Sequence, residues 1–382
     1  MDKIGPGIYL HIPFCLSKCS YCSFYSCTAT DTSIRQYHAA VLKRLTTLQH
    51  HAPWKELTFT TIFFGGGTPS ILPVPLLTDL VTRIQNTFSL TCDQPEISIE
   101  VNPATIGQEG LAKLRQAGFN RLSIGFQSLD DLQLKRIGRP HCADEAVKTY
   151  VAAKKAGFTN ISIDLMYGLP DQTPKQWSEI LDQALLLKPD HISMYELTLE
   201  PGTPLASAVD KGEISLPNED AVMEMMATTR KTISHTPLKR YEISNYARPG
   251  YRCRHNLNYW DNGSYLGIGP GAVSAFAGKR WSTREDLAHF LAAAPPAEST
   301  EGETEVLDHE AYFRETVVIG LRLTEGINLK KLHDRFNIDP ILYYGQTLTN
   351  LLEQKLLKLN DNKLCLTQHG LALANTVMAE LV

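Results

Sequence analysis

Cys15, Cys19 and Cys22 place three thiols within eight residues, in the run Cys15-Leu16-Ser17-Lys18-Cys19-Ser20-Tyr21-Cys22. Thiolates this close suit a soft metal ion or an iron–sulfur cluster, both of which take polarizable sulfur donors. The C-x3-C-x2-C spacing differs from the paired C-x2-C knuckles of structural zinc sites. It supplies three ligands where a closed four-iron cluster needs four, so one iron would stay open to a small molecule. Zinc is the competing reading, because Cys27 or His11 could complete a four-coordinate site. A disulfide is the weaker alternative. Cys27, Cys92, Cys142, Cys253 and Cys365 are scattered without a pairing pattern, as expected of a reducing compartment.

Such a loop needs rigid elements on both sides. The apolar run Ile8-Tyr9-Leu10-His11-Ile12 reads as a strand leading into the cysteines. Asp31-Thr32-Ser33 is a cap-like start to a helix reaching about His51, with Ile34, Tyr37, Val41, Leu45 and Leu48 at helical spacing. Thr58 to Phe64 is a β-branched and aromatic run that stops at Gly65-Gly66-Gly67-Thr68-Pro69-Ser70. A helix over about Val74 to Phe88 and a strand over Glu96–Val101 follow. Ala117–Gly125 is then echoed by Ala156–Asp164, an offset of 39 residues. Each copy is a helix end at a capping glycine, followed by a short strand. A sixth strand runs through His191–Thr198.

Six strands separated by helices imply parallel βα units, and no G-x-G-x-x-G follows the first strand. The expected fold is therefore α/β, a partial (β/α)6 barrel. Chemistry in such a barrel gathers at the C-terminal strand ends. Cys15 falls after strand one, Gly66 after two, Glu100 at three, Gln127 after four and Asp164 at five.

The pattern changes near Pro217, where Met223, Met225 and Met226 mark a helix read as core. Gly267-Ile268-Gly269-Pro270-Gly271 lacks the βαβ context of a nucleotide loop and reads as tight backbone packed against something bulky. Ala292 to Glu303 is small, Pro-bearing and acidic, hence a linker. Helical patterns over His309–Leu323, Leu329–Phe336 and Pro340–Glu353, with a hairpin around Asn360-Asp361-Asn362, suggest a winged-helix-like C-terminal unit. The expected division is a core barrel over 1–235, a barrel-covering extension over 236–294, a linker over 295–305 and the C-terminal domain over 306–382.

The 382 residues are 43% hydrophobic and 20% charged, an ordinary globular composition. Lys and Arg number 37 against 41 Asp and Glu, and a net charge of −4 is too mild to argue for nucleic acid or an anionic membrane surface. The candidate recognition helix is not strongly basic, so the C-terminal unit reads as structural. Without a leader-like segment or a run of membrane-span length, the expected compartment is the cytoplasm.

Taken together, Cys15/Cys19/Cys22, Gly65–Pro69, Glu100-Val101-Asn102-Pro103 and Ser123-Ile124-Gly125-Phe126-Gln127-Ser128 resemble the radical SAM superfamily. Gly138-Arg139-Pro140-His141, Asp164-Leu165-Met166-Tyr167-Gly168-Leu169-Pro170 and His255-Asn256-Leu257-Asn258-Tyr259-Trp260 extend the likeness to its coproporphyrinogen III oxidase-like branch. Within that branch the nearest type is the heme chaperone group, HemW. The resemblance covers nearly the whole chain. It implies a [4Fe–4S] cluster on Cys15, Cys19 and Cys22, with S-adenosylmethionine (SAM) on the fourth iron. An electron passed into the sulfonium would cleave SAM to a 5′-deoxyadenosyl radical, the cofactors carrying the chemistry and the protein the orientation.

By the same resemblance, Tyr9 and Tyr21 stand beside cluster and SAM, and Gly66, Gly67 and Thr68 form the segment approaching the methionine end of SAM. Glu100 contacts the first SAM, and Gln127, Arg139 and Asp164 match contacts to a second. Heme is the third expected ligand, with His255 as its candidate axial ligand, aromatic neighbours to cover a porphyrin face, and Cys253 as the alternative donor. No residue is assigned a catalytic role. Partners implied are a heme-acceptor protein, such as a respiratory-chain component, and an electron donor such as flavodoxin or ferredoxin. Oxidases of the branch carry a fourth cysteine two residues past the third, where this chain has Phe24, and they have an additional N-terminal segment. Both departures favour the chaperone type over coproporphyrinogen III decarboxylation.

Overall fold

Alternation along the strands decides which face of the sheet each side chain joins. The computed structural model describes residues 4–91, 94–293 and 302–382. In β1 (Gly7–Ile12), Ile8, Leu10 and Ile12 are buried in the main core. The same alternation places Ile62 and Phe64 of β2 (Thr61–Gly66), and Ile97, Ile99 and Val101 of β3 (Glu96–Val101), in that core. Leu122, Ile124 and Phe126 of β4 (Arg121–Gln127), Ile161, Ile163 and Leu165 of β5 (Ile161–Tyr167), and Ile192 and Met194 of β6 (His191–Glu196) continue it.

Most of the intervening positions are polar, Thr61, Ser98, Glu100, Arg121, Ser123, Ser162, Asp164 and Ser193, with Phe63 and Met166 as apolar exceptions. Parallel strands apolar on both faces read as continuous hydrophobic runs. These alternate because their inner face lines a polar lumen.

The six strands lie side by side in chain order and pair in parallel. Their crossovers run through α1 (Asp31–Leu48), α2 (Val74–Thr87), α3 (Gln108–Gln116), α4 (Ala143–Lys155) and α5 (Pro174–Leu186). The expected α/β barrel architecture is therefore present. Two local readings shift. The N-cap of α1 is Thr30, whose capping box uses Ser33. The Thr58–Phe64 run is two strands: Thr58–Phe59 pairs with Ser89–Leu90, and β2 begins at Thr61. The break falls at Thr60, whose N–H and hydroxyl both bond the Gly5-Pro6 backbone.

The stretch after β6 does more than cover the barrel. β7 (Lys239–Arg240) and β8 (Asn245–Ala247) add antiparallel strands beside β6. At the other edge, β9 (Tyr265–Ile268) pairs in parallel with β1. β10 (Val273–Phe276), β11 (Lys279–Ser282) and β12 (Thr304–Val306) then complete a 12-stranded sheet. Most of the expected linker, 294–301, lies outside the described residues, but β12 shows that its last residues are sheet. The Gly267–Gly271 segment is tightly packed: a Cβ on Gly267 would strike the Val273 carbonyl and one on Gly269 that of His11, while Gly271 faces the Glu285 and Tyr25 side chains. Of the methionine helix α6 (Glu219–Ser234), Met225 is buried and Met223 is exposed.

α7 (Arg254–Trp260) sits against the N-terminal strand ends. The Glu96 carboxylate at the start of β3 accepts from the backbone N–H groups of Arg254 (3.0 Å) and His255 (3.1 Å). It satisfies orphan donors and complements the helix dipole.

The C-terminal unit has α8 (His309–Gly320), β13 (Ile327–Asn328), α9 (Leu329–Phe336), α10 (Pro340–Glu353), β14 (Leu357–Asn360) and β15 (Lys363–Leu366). Its core is its own, built around Phe313, Val317, Leu332, Phe336 and Leu348. The expected hairpin forms, and β13 joins it as a third strand. Arg322 anchors the unit by bonding Glu242 (3.5 Å) and lying 4.4 Å over the Trp260 ring. Among the described residues, no helix is long and apolar enough to cross a membrane.

Candidate functional site: a three-thiol pocket at the strand exits

The cysteine loop leaves the C-terminal end of β1 and is closed by a two-residue pairing, Phe14–Cys15 with Cys27–Thr28. The glycine turn after β2 is stitched to the same exit. Gly67 N–H donates to the Ile12 carbonyl (2.8 Å) and Thr68 N–H to that of Phe14 (2.7 Å). Gly66 has φ +112°, and a Cβ there would lie 2.8 Å from the His11 ring. At Gly67 a Cβ would lie 2.7 Å from the Phe14 carbonyl oxygen. Backbone cannot yield there as a flexible side chain could, so the glycine is a steric requirement. Gly67→Ala should cost roughly 1–3 kcal/mol by overpacking, and should lower the iron retained after anaerobic reconstitution. Denaturant unfolding and iron analysis check the two effects.

A ring of contacts encircles the pocket. The Cys15 thiol lies 3.5 Å from the Thr68 hydroxyl. Thr68 Oγ1 accepts from Asn102 Nδ2 (2.8 Å), and Asn102 Oδ1 accepts from Arg139 Nη2 (2.8 Å). Arg139 also donates to the Gly125 carbonyl (2.9 Å) and reaches the Cys19 sulfur at 3.6 Å. Segments following β1, β2, β3 and β4 are thereby tied together around Cys15, Cys19 and Cys22, all of which line one pocket. Tyr21 packs beside Ile137 and Met166 under this ring. Burial raises its phenol pKa, and the adjoining Arg139 partly opposes that rise.

The donor set fits an iron–sulfur cluster. The pocket's lining offers sulfur, hydroxyl, amide, imidazole, ammonium and guanidinium groups but no carboxylate, which suits a soft centre. Burial raises the Cys22 thiol pKa, a backbone hydrogen bond from Phe24 partly opposes it, and the neighbouring Cys19 and Cys15 raise it further, so a thiolate at Cys22 calls for bound positive charge. The zinc alternative loses its fourth ligand. His11 has Nε2 on the Tyr25 carbonyl (3.0 Å) and Nδ1 on the Tyr9 hydroxyl (3.2 Å), while Cys27 donates to the Pro13 carbonyl (3.4 Å).

The lumen continues from this pocket. Glu100 Oε2 accepts from the Gly66 N–H (3.2 Å). Burial, then the nearby Asp164, push its carboxyl up to about 8. Asp164 accepts from Ser123 (2.8 Å) and Ser162 (2.7 Å), one hydroxyl per oxygen. Tyr9 stacks on Phe63 at 6.3 Å. A Cβ on Gly65 would come within 3.0 Å of the Tyr9 ring and 3.2 Å of the Glu100 carboxyl, so Gly65 keeps open the space between them. Gln127 has φ +63° at a bulge in β4, an uncommon conformation that marks functional sites. Its amide and Arg139 both flank Gly125. The cysteines, Tyr21, Gly66, Gly67, Thr68 and Arg139 thus gather at the strand exits, with Tyr9, Glu100, Gln127 and Asp164 along the adjoining lumen.

His255 does not join them. Its ring bonds Thr61 Oγ1 through Nδ1 (2.7 Å) and Tyr259 OH through Nε2 (2.9 Å). It is 1% exposed and lies beside Gly7, at the N-terminal strand ends opposite the cysteines. Burial, then Arg121, push it down to about 3, a neutral hydrogen-bonded core residue. Cys253, the alternative donor, is fully buried 3.6 Å from Glu96. Neither is presented to a heme iron, and the axial-ligand reading is withdrawn. Conversely, Asn102 and Gly65 sit within the quoted motifs, but their spacing alone gave no sign of the roles they hold here.

Residues 9–184 match the radical SAM superfamily, and residues 307–373 match the HemN C-terminal domain. The chain is 33% identical over 374 residues to the heme chaperone HemW of Lactococcus lactis, spanning 98% of this chain and 96% of that protein. It is 39% identical over 274 residues to HemW of Escherichia coli, 71% of each chain. To the mitochondrial radical S-adenosyl methionine domain-containing protein 1 of Mus musculus it is 32% identical over 391 residues, 98% of this chain and 87% of that one. The solved coproporphyrinogen III oxidase (HemN) of Escherichia coli, a radical SAM enzyme, superposes with a TM-score of 0.83. That match covers 99% of this chain and 90% of the other at 21% identity, and shows a shared fold.

Proposed function

The chain belongs to the radical SAM superfamily and within it to the HemW family, and from that premise we propose that it is a heme chaperone. In this reading it holds a [4Fe–4S] cluster on Cys15, Cys19 and Cys22, binds SAM and heme, and passes heme to an acceptor protein. The observation that carries the cofactor part is the closed ring from Cys15 through Thr68, Asn102 and Arg139 to Cys19.

Each segment of that ring has a task. Thr68 and Arg139 approach the Cys15 and Cys19 thiols and position the loop. Gly65, Gly66 and Gly67 leave backbone exposed where side chains would fill the site. Glu100 holds a proton near neutrality beside Gly66 and would release it to meet a cationic ligand as a carboxylate. A reduced cluster here would supply the electron that splits the sulfonium of SAM. Leu16, 63% exposed, and Lys18 stand out on the cysteine loop, where a flavodoxin or ferredoxin could approach. Phe24, in place of a fourth cysteine, favours carriage over oxidase chemistry, as do the names of the relatives that match over most of the chain.

The test is anaerobic. The reconstituted protein, given SAM and a reductant, is followed for coproporphyrinogen III turnover alongside a heme titration. The expected outcome is stoichiometric heme binding without vinyl-group formation. Catalytic vinyl formation without tight heme binding would replace the chaperone reading with the oxidase one.

A further inference from the structure

Arg139 is a cation that reaches the cysteine loop without a counter-ion of its own. Gly138, with φ +72°, lets its segment run close under the loop, where a Cβ would lie 3.3 Å from the Ser20 nitrogen. The Ser20 N–H donates to the Ile137 carbonyl (3.2 Å), so backbone joins the two segments as well. The guanidinium is held from behind. Nη2 donates to Asn102 Oδ1 (2.8 Å) and to the Gly125 carbonyl (2.9 Å), while Nη1 reaches the Cys19 sulfur at 3.6 Å. Nε is buried without a hydrogen-bond partner.

This arrangement is a poor clamp for a ligand carboxylate, the part that the resemblance gives Arg139 in binding a second SAM. A guanidinium grips a carboxylate through two neighbouring nitrogens. Both such edges, Nε–Nη2 and Nη1–Nη2, use Nη2, whose hydrogens are already given to Asn102 and Gly125. Asn102 is itself fixed, since its Nδ2 donates to Thr68 (2.8 Å) and its backbone N–H to Ser70 Oγ (3.2 Å). Among the described residues Arg139 forms no ion pair, and the pocket that it lines contains no carboxylate. The anionic partner left to its charge is the group of three thiols.

We propose that Arg139 is a positioning residue that sets how readily the cysteine centre accepts an electron. The inference rests on the iron–sulfur reading of Cys15, Cys19 and Cys22 and deepens it. Reduction potentials of such centres follow net charge and hydrogen bonds to the sulfurs. A guanidinium at the Cys19 sulfur offsets the negative charge that one added electron brings, so it favours the reduced form and raises the potential. Asn102 acts through Arg139, holding the fork in place from the far side of the pocket. Thr68, which accepts from Asn102 and lies 3.5 Å from the Cys15 thiol, ties a second sulfur to the same chain of contacts.

The test is a potentiometric titration of the full-length protein, reconstituted anaerobically and followed by electron paramagnetic resonance with no SAM present. At a fixed solution potential, Arg139→Met should lower the ratio of reduced to oxidised centre about tenfold, a shift of about 59 mV for one electron. Arg139→Lys keeps the charge without the fork and should recover part of that loss. Asn102→Ala leaves Arg139 in place but unanchored, and should shift the potential the same way by a smaller step. Should Arg139→Met fail to retain iron, the other two variants carry the comparison. A parent-like potential in every variant that holds its iron would overturn the proposal and leave Arg139 a structural or SAM-binding residue. A parent protein that takes up neither iron nor sulfide would instead sink the iron–sulfur reading, and the proposal with it.

Discussion

Cys19→Ala should yield a folded but colourless protein. Cys19 is nearly buried at the strand exits, yet it is not part of the main apolar core that joins the strands to their helices. Removing its sulfur takes away one of the three proposed cluster ligands and the Arg139 contact at 3.6 Å, but no core methylene. Iron and acid-labile sulfide after anaerobic reconstitution should fall to near zero, while far-UV circular dichroism stays at the parent level. Cys27→Ala is the contrast. Its thiol bonds the Pro13 carbonyl, so the variant should reconstitute like the parent. Equal iron loss in both variants would return Cys27 to the ligand set and reopen the four-thiol reading.

Glu100→Gln should change both pH dependence and SAM affinity. The folded protein holds the Glu100 carboxyl at about 8, against a value near 4.5 for a free glutamate. Between those values the folded state keeps a proton that the unfolded chain has released, so this group's contribution is fully present below about 4.5 and is lost as pH rises through 8. The buried histidines His11, His141, His191 and His255 are lowered from 6.5, and their linkage works the other way and below that pH. Glu196 and Glu242 are also raised, so the difference between variant and parent isolates Glu100. That difference in Tm, variant minus parent, should grow steadily from pH 5 to pH 8.5. Glutamine cannot ionise to meet a sulfonium, so SAM should bind roughly ten- to a hundredfold more weakly, the scale of one lost charged hydrogen bond. The parent should release a proton on binding SAM, seen as a buffer-dependent heat in calorimetry. A pH-independent Tm difference would mean that Glu100 is already ionised in the folded chain.

Much of this site was legible because its chemistry is local in sequence. The cysteine spacing and the glycine turn each sit at a strand exit, and strand exits follow from alternation and helix-capping glycines such as Gly118 and Gly157. Nothing local says which sheet edge a strand will join, so β9 to β12 were not foreseen beyond β1, nor β12 within the linker. His255 misled for a related reason. A histidine followed by Tyr259 and Trp260 looks like a ligand with aromatic cover. Its place at the N-terminal strand ends is fixed in part by Glu96, which caps α7 from 159 residues away. Asn102 shows the converse, since its two hydrogen bonds join loops that only the folded barrel brings together.

The most direct measurement is iron and sulfide content after anaerobic reconstitution, with electron paramagnetic resonance of the reduced protein before and after SAM. The account predicts about four irons and four sulfides per chain, on three cysteine ligands, and a spectrum that shifts when SAM is added. One zinc per chain without sulfide, or a cluster signal indifferent to SAM, would contradict it.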